Sequence, residues 1–326
     1  MNIALIGYGY WGPNILKSFD GTKYKITHVV DINEENLKRA RGYRSDLILM
    51  KSVDEAVASS DIDAVVIALP TGVHYEVAKK AILNGKHVMI EKPMTGNLET
   101  ATDLTRLAKE NGVVLMVDHN YVYKKTVNDI KELYERGIIG RALYYDASRQ
   151  NLGIFRPQDD VIWDLAPHDI AIIKHILGKN PIAVSATAAS HIIKGKYDMA
   201  SLILFFEDEF IANIDVSWIF PKKERRVYLG GDKLVARFDD SIEEQKLKLY
   251  PVGYEVCSNG VICTQDEPYL YGRDTENAIT NAGNDFIYCI ENNKTPLSSA
   301  EFGCDVVRII EALEKSADLG GQRIEI

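Results

Sequence analysis

The feature that most constrains the fold is an alternation of short apolar runs and amphipathic helical patterns over residues 1–120. The runs are NIALIG, ITHVVD, AVVIAL, HVMIE and VVLMVD, and a helical pattern separates each from the next. Strands that are apolar on both faces and joined by helices belong to a parallel sheet covered on both sides. Because such crossovers are right-handed, we predict a doubly wound parallel sheet for residues 1–120.

After Asp118 the pattern changes to strand-like segments that follow one another with few helices between them. A capping box from Thr126 to Asp129 predicts a helix that ends at Gly137, and further helices are predicted at 164–177, 275–292 and 300–319. Successive strands without crossover helices form antiparallel sheets. A chain of 326 residues also exceeds the usual size of one core. We therefore predict a second α/β domain at 121–326 with a mostly antiparallel sheet.

The composition argues against several classes of function. The formal net charge of -9 opposes binding to a phosphate backbone, so no nucleic-acid partner is expected. Four cysteines without CxxC spacing argue against a metal site and are interpreted as reduced, packed thiols. The first residues contain no basic n-region, and no apolar run reaches the roughly 18 residues of a membrane span. We expect a cytoplasmic protein without a signal peptide.

A glycine-rich turn follows the first strand and opens the first helix. In Gly7-Tyr8-Gly9-Tyr10-Trp11-Gly12, the first glycine permits a tight turn, the second lets backbone amides approach a pyrophosphate, and the third lets helix and strand pack closely. The helix N-terminus favours the bound anion. The pattern predicts a dinucleotide site. Tyr10 and Trp11 are either cofactor contacts or ordinary loop aromatics.

Asp31 ends the second strand and indicates which cofactor is bound. An acidic side chain at this position accepts hydrogen bonds from the ribose 2′-hydroxyl and repels a 2′-phosphate, so NAD is favoured over NADP. Arg39 and Arg41 follow in the sequence. Their presence leaves open whether an arginine reaches the same position.

The segment Glu91-Lys92-Pro93 places two opposite charges at the end of a buried strand. Ligands of open α/β sheets bind at the carboxyl ends of the strands. There a lysine ammonium can stabilise the alkoxide that develops as hydride leaves a carbinol. The alternative is a solvated ion pair followed by a proline.

The segment Trp163-Asp164-Leu-Ala-Pro167-His168 supplies a candidate base. If Asp164 caps the helix, Pro167 falls in the first turn, where no intrahelical donor is lost. Asp164 and His168 are four residues apart and share one helix face. Imidazole titrates near neutral pH, so His168 is suited to accept a hydroxyl proton. A purely structural histidine is the alternative.

Together these motifs resemble the Gfo/Idh/MocA family of glucose-fructose oxidoreductase and inositol dehydrogenase relatives. The resemblance covers essentially the whole chain and also includes the turn from Thr71 to His74 and the segment GKHVMIEKP. It implies a Rossmann domain, an α/β domain with a large, mostly antiparallel, open-faced sheet, and homodimers or homotetramers built through that sheet. It further implies NAD(P)-dependent oxidation or reduction of a secondary alcohol on a sugar, cyclitol or nucleotide sugar.

The resemblance also implies roles for individual residues. Lys92 is the catalytic lysine, His168 the acid/base and Asp164 its partner. The implied cofactor-binding residues are Gly7, Gly9, Tyr10, Trp11, Gly12, Asp31, Pro70, Thr71, His74, Glu91, Lys92 and Asn120. The family often has glycine-histidine after the next strand, whereas this chain has Asp118-His119-Asn120. Contact between Asn120 and the nicotinamide is therefore left open.

The loop NLGIFRP is similar to that of dehydrogenases that oxidise C3 of a UDP- or dTDP-linked amino sugar in cell-surface polysaccharide synthesis. A diphosphate requires cations, and the candidates are Arg149, Arg156 and Arg225 or Arg226. Trp163 and His168 are the other candidate substrate-binding residues. For each arginine, a solvated surface position is the alternative. Two other functions stay open: a free cyclitol or monosaccharide dehydrogenase, and a non-catalytic cofactor-binding sensor.

Overall fold

The computed structural model of the chain describes residues 1–153, 155, 159–243, 246–272 and 276–326. The chain divides into two units, the first formed by 1–123 with 276–307 and the second by 124–275 with 308–326. The division predicted at residue 120 lies close to the end of the first segment. The segment 276–307, assigned from the sequence to the second domain, folds with the first unit instead.

The first unit contains a six-stranded sheet in the order β3-β2-β1-β4-β5-β6, and all of its pairs are parallel. This is the strand order of the Rossmann fold, and it confirms the predicted doubly wound sheet. The elements of residues 1–123 are β1 Ile3–Ile6, α1 Gly12–Phe19, β2 Ile26–Val30, α2 Glu34–Tyr43, β3 Ile48–Met50, α3 Val53–Ala58, β4 Ala64–Ile67, α4 His74–Leu83, β5 His87–Glu91, α5 Leu98–Glu110 and β6 Leu115–Asp118, with 3₁₀ turns at Thr71–Val73 and Asn120–Tyr123.

Most of these elements follow from the local sequence. Every residue of β1, β4 and β6 is buried, as expected for strands covered on both faces. Gly85 and Gly112 have φ of +70° and +65° just past α4 and α5, which confirms the expected left-handed caps. Strand β3 and helix α3 were not predicted. Strand β3 has only three residues, and none of them is fully buried.

Residues 276–307 cover the open edge of this sheet. The Val117 amide donates to Ser298 O at 2.9 Å, and Ser298 Oγ donates to Val117 O at 2.6 Å. The Tyr123 hydroxyl donates to the Asp285 carboxylate at 2.7 Å from the end of the same strand region. An uncovered edge strand would leave a row of unpaired backbone groups, so this segment completes the first unit.

The second unit contains a ten-stranded sheet whose main path is β14-β13-β12-β11-β7-β10-β9-β8-β16, with β15 paired to β13. Among the described strand pairs of this second sheet, only β7 and β10 are parallel. The predicted mostly antiparallel sheet is therefore confirmed. The remaining elements of the chain are α6 Lys125–Glu135, β7 Ala142–Leu152, α7 Val161–Leu177, β8 Ala183–Ala189, β9 Met199–Phe205, β10 Ile211–Ser217, β11 Ile219–Gly231, β12 Leu234–Asp239, β13 Leu247–Cys257, β14 Gly260–Gln265, β15 Tyr269–Leu270, α8 Ala278–Asn292, α9 Ala300–Asp318 and β16 Ile324–Glu325.

One face of this sheet packs on helices and the other is open. In β7, Tyr145 and Ala147 are buried and Tyr145 contacts α7 through Asp169, whereas Tyr144 on the opposite face is 38% exposed. Ile211 of β10 is also 38% exposed and pairs with Tyr144. The alternation along the strands therefore leaves an apolar row on the open face.

Two helices begin at different residues from those predicted. Helix α6 begins at Lys125, and Thr126 is buried in its first turn instead of capping it. Helix α7 begins at Val161 because Asp160 accepts hydrogen bonds from the amides of Ile162 and Trp163 at 2.9 and 3.1 Å. The prediction that Asp164 caps α7 is therefore wrong, and Pro167 lies inside the helix, where it removes one intrahelical donor.

Candidate active site

The glycine turn of the first unit has two glycines that the surrounding protein requires. Gly7 has φ of +96°, and a Cβ there would lie 2.4 Å from Ala68 O. A Cβ on Gly12 would lie 2.6 Å from Gly7 O, inside the turn itself. These two positions explain the tight turn and the close start of α1.

Gly9 differs from its two neighbours. A Cβ at Gly9 would meet no atom within 4 Å, so packing within the described protein does not explain this glycine. A ligand that approaches the backbone does explain it, because a pyrophosphate at a helix N-terminus needs bare amides. The turn therefore fits a dinucleotide. Beside it, Tyr10 is 75% exposed and Trp11 is partly exposed, and their contact with a cofactor stays a prediction.

Asp31 joins the glycine turn to helix α2. Its Oδ2 accepts hydrogen bonds from the Tyr8 amide at 2.7 Å and from Asn36 Nδ2 at 3.0 Å, and its Oδ1 accepts from the Asn33 amide at 2.7 Å. Each carboxylate oxygen has two acceptor sites, so Oδ1 retains capacity for a ribose hydroxyl. Arg39 lies over the Tyr8 ring at 5.7 Å and donates to Asn36 Oδ1 at 3.1 Å. Asn36 was not predicted from the sequence.

The turn after β4 is tied to the loop after β5 by His74. This imidazole is 1% exposed, with Nε2 at 2.8 Å from Leu69 O and Nδ1 at 3.0 Å from Pro93 O. Both carbonyls are acceptors, so a neutral ring donates to one of them through its single N–H, and only a protonated ring donates to both. His74 thus holds the loops in place, while Pro70 and Thr71 lie at the surface of the same turn. Direct contact of these three residues with a cofactor stays a prediction.

Lys92 follows β5 at the carboxyl edge of the sheet, the edge that also carries the glycine turn and Asp31. Its backbone amide donates to Glu91 Oε2 at 3.3 Å, and the Lys92–Pro93 peptide bond is cis. Asn120 opens the 3₁₀ turn after β6 on the same edge. The first unit therefore brings most of the predicted cofactor residues to one edge of one sheet, as the Rossmann arrangement requires.

Two carboxyl groups lie side by side at this edge. Glu91 and Asp118 are direct partners in the register of β5 and β6. Burial, together with the neighbouring Asp118 charge, raises the pKa of Glu91 well above its usual range, and burial raises the pKa of Asp118 to about 6. The next residue, His119, is 1% exposed, and burial with the nearby Lys92 charge lowers its pKa to about 3. His119 is therefore a neutral imidazole at physiological pH.

In the second unit, helix α7 presents Asp164 and His168 on one face. They are four residues apart and both are partly exposed. Asp164 Oδ2 accepts a hydrogen bond from the indole N–H of Trp218 at 3.1 Å, and Trp218 is itself 1% exposed. Trp218 was not predicted from the sequence. Trp218 follows β10 directly. A tryptophan at the end of a strand, beside a polar segment, is the sequence feature from which a role for this residue could have been predicted.

Two of the predicted substrate residues have protein partners. Arg149 is 3% exposed, and its guanidinium makes a bidentate pair with Asp169 at 2.6 and 3.1 Å. Trp163 is 7% exposed and hydrogen-bonds the Glu314 carboxylate, whose pKa burial raises. The Arg149 guanidinium thus binds a carboxylate of the helix that carries His168. Arg156 lies outside the described residues.

The remaining titratable residues show no metal site. Within the ranges that the structure describes, no group of three or more His, Cys, Asp or Glu side chains could hold a metal ion.

All four cysteines are without a disulfide partner. Cys289 and Cys304 are buried and Cys263 is exposed, so the prediction of packed thiols fails at Cys263. No helix among the described residues has the length and apolar character needed to cross a bilayer.

Comparison with known proteins assigns both units. Residues 1–119 match a family model described as an oxidoreductase family with an NAD-binding Rossmann fold, and residues 127–237 match the GFO/IDH/MocA C-terminal domain. The chain belongs to the Gfo/Idh/MocA oxidoreductase family. The first unit is accordingly an NAD-binding Rossmann fold, and the Gfo/Idh/MocA resemblance expected from the sequence is confirmed.

Among similar proteins, UDP-N-acetylglucosamine 3-dehydrogenase of Acidithiobacillus ferrooxidans is 32% identical over 233 residues, 70% of each chain. A solved structure of that enzyme has a TM-score of 0.80 at 25% identity and covers 98% of both chains. The 2,7-anhydro-N-acetylneuraminate hydratase of Escherichia coli is 28% identical and covers 73% of this chain and 68% of its own. An NADP-dependent scyllo-inositol 2-dehydrogenase of Bacillus subtilis is 30% identical over 57% of this chain and 54% of its own.

Proposed function

We propose that this Gfo/Idh/MocA protein is an NAD-dependent dehydrogenase that acts on C3 of a nucleotide-linked amino sugar in cell-surface polysaccharide synthesis. The observation that carries the proposal is its similarity, over most of both chains, to a UDP-N-acetylglucosamine 3-dehydrogenase. The Asp31 carboxylate at the glycine turn supports NAD as the cofactor, because a 2′-phosphate would meet its negative charge.

The proposed chemistry uses three side chains of this chain. NAD supplies the hydride acceptor when it is bound. His168 accepts the proton of the substrate hydroxyl at a ring nitrogen, and the Lys92 ammonium donates a hydrogen bond to the oxygen as it gains negative charge. Asp164, one helical turn before His168 and held by Trp218, stabilises the imidazolium that forms.

The domain roles and the assembly belong to the same proposal. The first unit binds the cofactor, and the second binds substrate and forms a homodimer or homotetramer through its open sheet face. The support is the apolar row of Tyr144, Ile211 and Phe205, which are neighbours across three strands. Unpaired cysteines support a reducing compartment, the cytoplasm.

The test is a substrate screen that follows NADH absorbance with UDP- and dTDP-linked amino sugars, free monosaccharides and inositols. We expect turnover with a nucleotide sugar and a 3-keto product. Turnover with free inositol alone would favour the cyclitol dehydrogenase alternative. The similarity to a scyllo-inositol 2-dehydrogenase supports that alternative. NADH binding without oxidation of any alcohol would favour the non-catalytic sensor.

Variants test the residue roles separately. Lys92→Met and His168→Asn are expected to lower kcat by at least about a hundredfold, because each removes a group that acts on the reacting oxygen. NADH binding by fluorescence serves as the control, since neither change removes the glycine turn or Asp31. A kcat within about threefold of the original for either variant would refute that residue's role.

A further inference from the structure

We propose that Glu91 and Asp118 share one proton and act as a single, singly charged partner that positions Lys92. The inference rests on the proposed catalytic role of Lys92. It makes both residues positioning residues, because they act through the lysine and not on the substrate.

The arrangement of the two side chains carries the inference. Glu91 and Asp118 are register partners at the last positions of β5 and β6, so their side chains lie on the same face of adjacent parallel strands. Asp118 is 1% exposed. When both carboxyl groups are ionised, neither oxygen of Asp118 has a hydrogen-bond donor among the described residues. Glu91 Oε1 is also buried and also lacks a hydrogen-bond donor among the described residues.

The chemistry of carboxyl groups then requires a proton between them. Ionised carboxylates only accept hydrogen bonds, so two facing carboxylates repel each other and leave their oxygens unsatisfied. One added proton turns Glu91 into a donor to Asp118 and removes the repulsion. The raised pKa values of both groups agree with this geometry, and Glu91, with the larger rise, carries the proton.

Lys92 is the cation whose charge acts on the pair. Lys92 acts on Glu91 through its charge and through its amide, which donates to Glu91 Oε2. His119 follows Asp118 and is a neutral, buried imidazole, and His74 contacts Pro93 O on the other side of Lys92. A pair with one negative charge therefore balances the single positive charge of Lys92.

Isosteric variants separate this arrangement from two independent carboxylates. Glu91→Gln and Asp118→Asn each leave one carboxylate facing one amide donor, so each keeps the charge of the proton-sharing pair. The double variant Glu91→Gln/Asp118→Asn removes that charge. Glu76→Gln, on an exposed position of α4, is the matched control.

The first readout is the infrared carbonyl stretch of a protonated carboxylic acid in the purified protein at pH 7. We expect the band in the original protein and in the Glu76→Gln control, and its loss in both single variants. This measurement needs no substrate, so it stands if the proposed dehydrogenase activity fails. Absence of the band from the original protein overturns the shared proton even if the enzyme is active.

The second readout is the pH profile of kcat with the substrate found by screening. We expect Asp118→Asn to stay within about threefold of the original kcat across the profile, and the double variant to fall by about tenfold or more, because the negative charge beside Lys92 is removed. NADH binding and the thermal midpoint confirm that each variant is folded. If Asp118→Asn loses as much kcat as the double variant, the pair does not act as one charge.

Discussion

The buried Arg149–Asp169 pair allows a quantitative test of how helix α7 is held in the second unit. The two side chains are 4% and 1% exposed and meet through two hydrogen bonds between β7 and the helix that carries Asp164 and His168. Arg149→Met removes one partner and leaves a buried carboxylate uncompensated. Asp169→Leu removes the carboxylate that makes both of these hydrogen bonds with the buried guanidinium.

The expected loss follows from burial. Breaking a buried pair by removing one partner costs about 3–5 kcal/mol, because the charge that remains is buried and has lost that partner. For a unit of this size each kcal/mol lowers Tm by about 2–4 °C, so either single variant is expected to unfold roughly 10 °C earlier. The double variant Arg149→Met/Asp169→Leu is expected to recover most of that loss, since apolar side chains of similar volume need no partner.

Thermal unfolding followed by circular dichroism measures all three variants. The control is Arg136→Met, which breaks the exposed pair with Glu132, 59% and 57% exposed, and is expected to cost less than about 1 kcal/mol. A Tm within about 2 °C of the original for Arg149→Met would refute the reasoning. If that variant also raised KM for a nucleotide sugar but not for a free sugar, Arg149 would be a phosphate contact, as the sequence indicated.

Four further outcomes are expected. Since the folded pKa values of Glu91 and Asp118 are raised, the stability that their protonated forms contribute is present below the pKa of the unfolded groups, about pH 4, and is lost as pH rises through the raised values. Urea unfolding of Glu91→Gln should therefore show a stability relative to the original that increases from about pH 4 to about pH 8. Trp218→Phe removes the donor to Asp164 and should lower kcat about tenfold, with Trp11→Phe as the comparison in steady-state assays. Asp31→Asn should raise the affinity for NADP relative to NAD by about tenfold in fluorescence titrations, and an unchanged ratio would argue against Asp31 as the discriminating residue. Ile211→Lys should shift the oligomer towards monomer in sedimentation velocity, whereas Ile32→Lys, on an exposed loop of the first unit, should not.

The sequence could predict much of the first unit because its signals are local. The Rossmann order rests on apolar runs, caps and a glycine turn, and each of these is readable within a few residues. The same signals place Gly7, Gly9, Asp31 and Lys92 at the carboxyl edge of the sheet. The sequence division failed for 276–307, because the edge of β6 is closed by residues far along the chain.

Contacts between distant residues explain the other differences. Asp160 and Asp164 are both acceptable caps for α7, and only the folded chain shows that the amides of Ile162 and Trp163 bond to Asp160. The guanidinium of Arg149 is a group that binds phosphates. In the folded chain it donates hydrogen bonds to the carboxylate of Asp169, twenty residues later. A cation in a sequence can be recognised from its type, whereas its partner depends on the packing of α7 against β7.

The same reasoning explains why the charge beside Lys92 depends on strand register. Side chains alternate between the two faces of a sheet, so a shift of β6 by one residue against β5 would move Asp118 to the face opposite Glu91. The observed register instead brings two carboxyl groups together in a buried environment, where two full negative charges would be strongly unfavourable. A glutamate at the end of one strand and an aspartate at the end of the next look like two charges in the sequence. In the folded sheet they carry one, and Lys92 balances it.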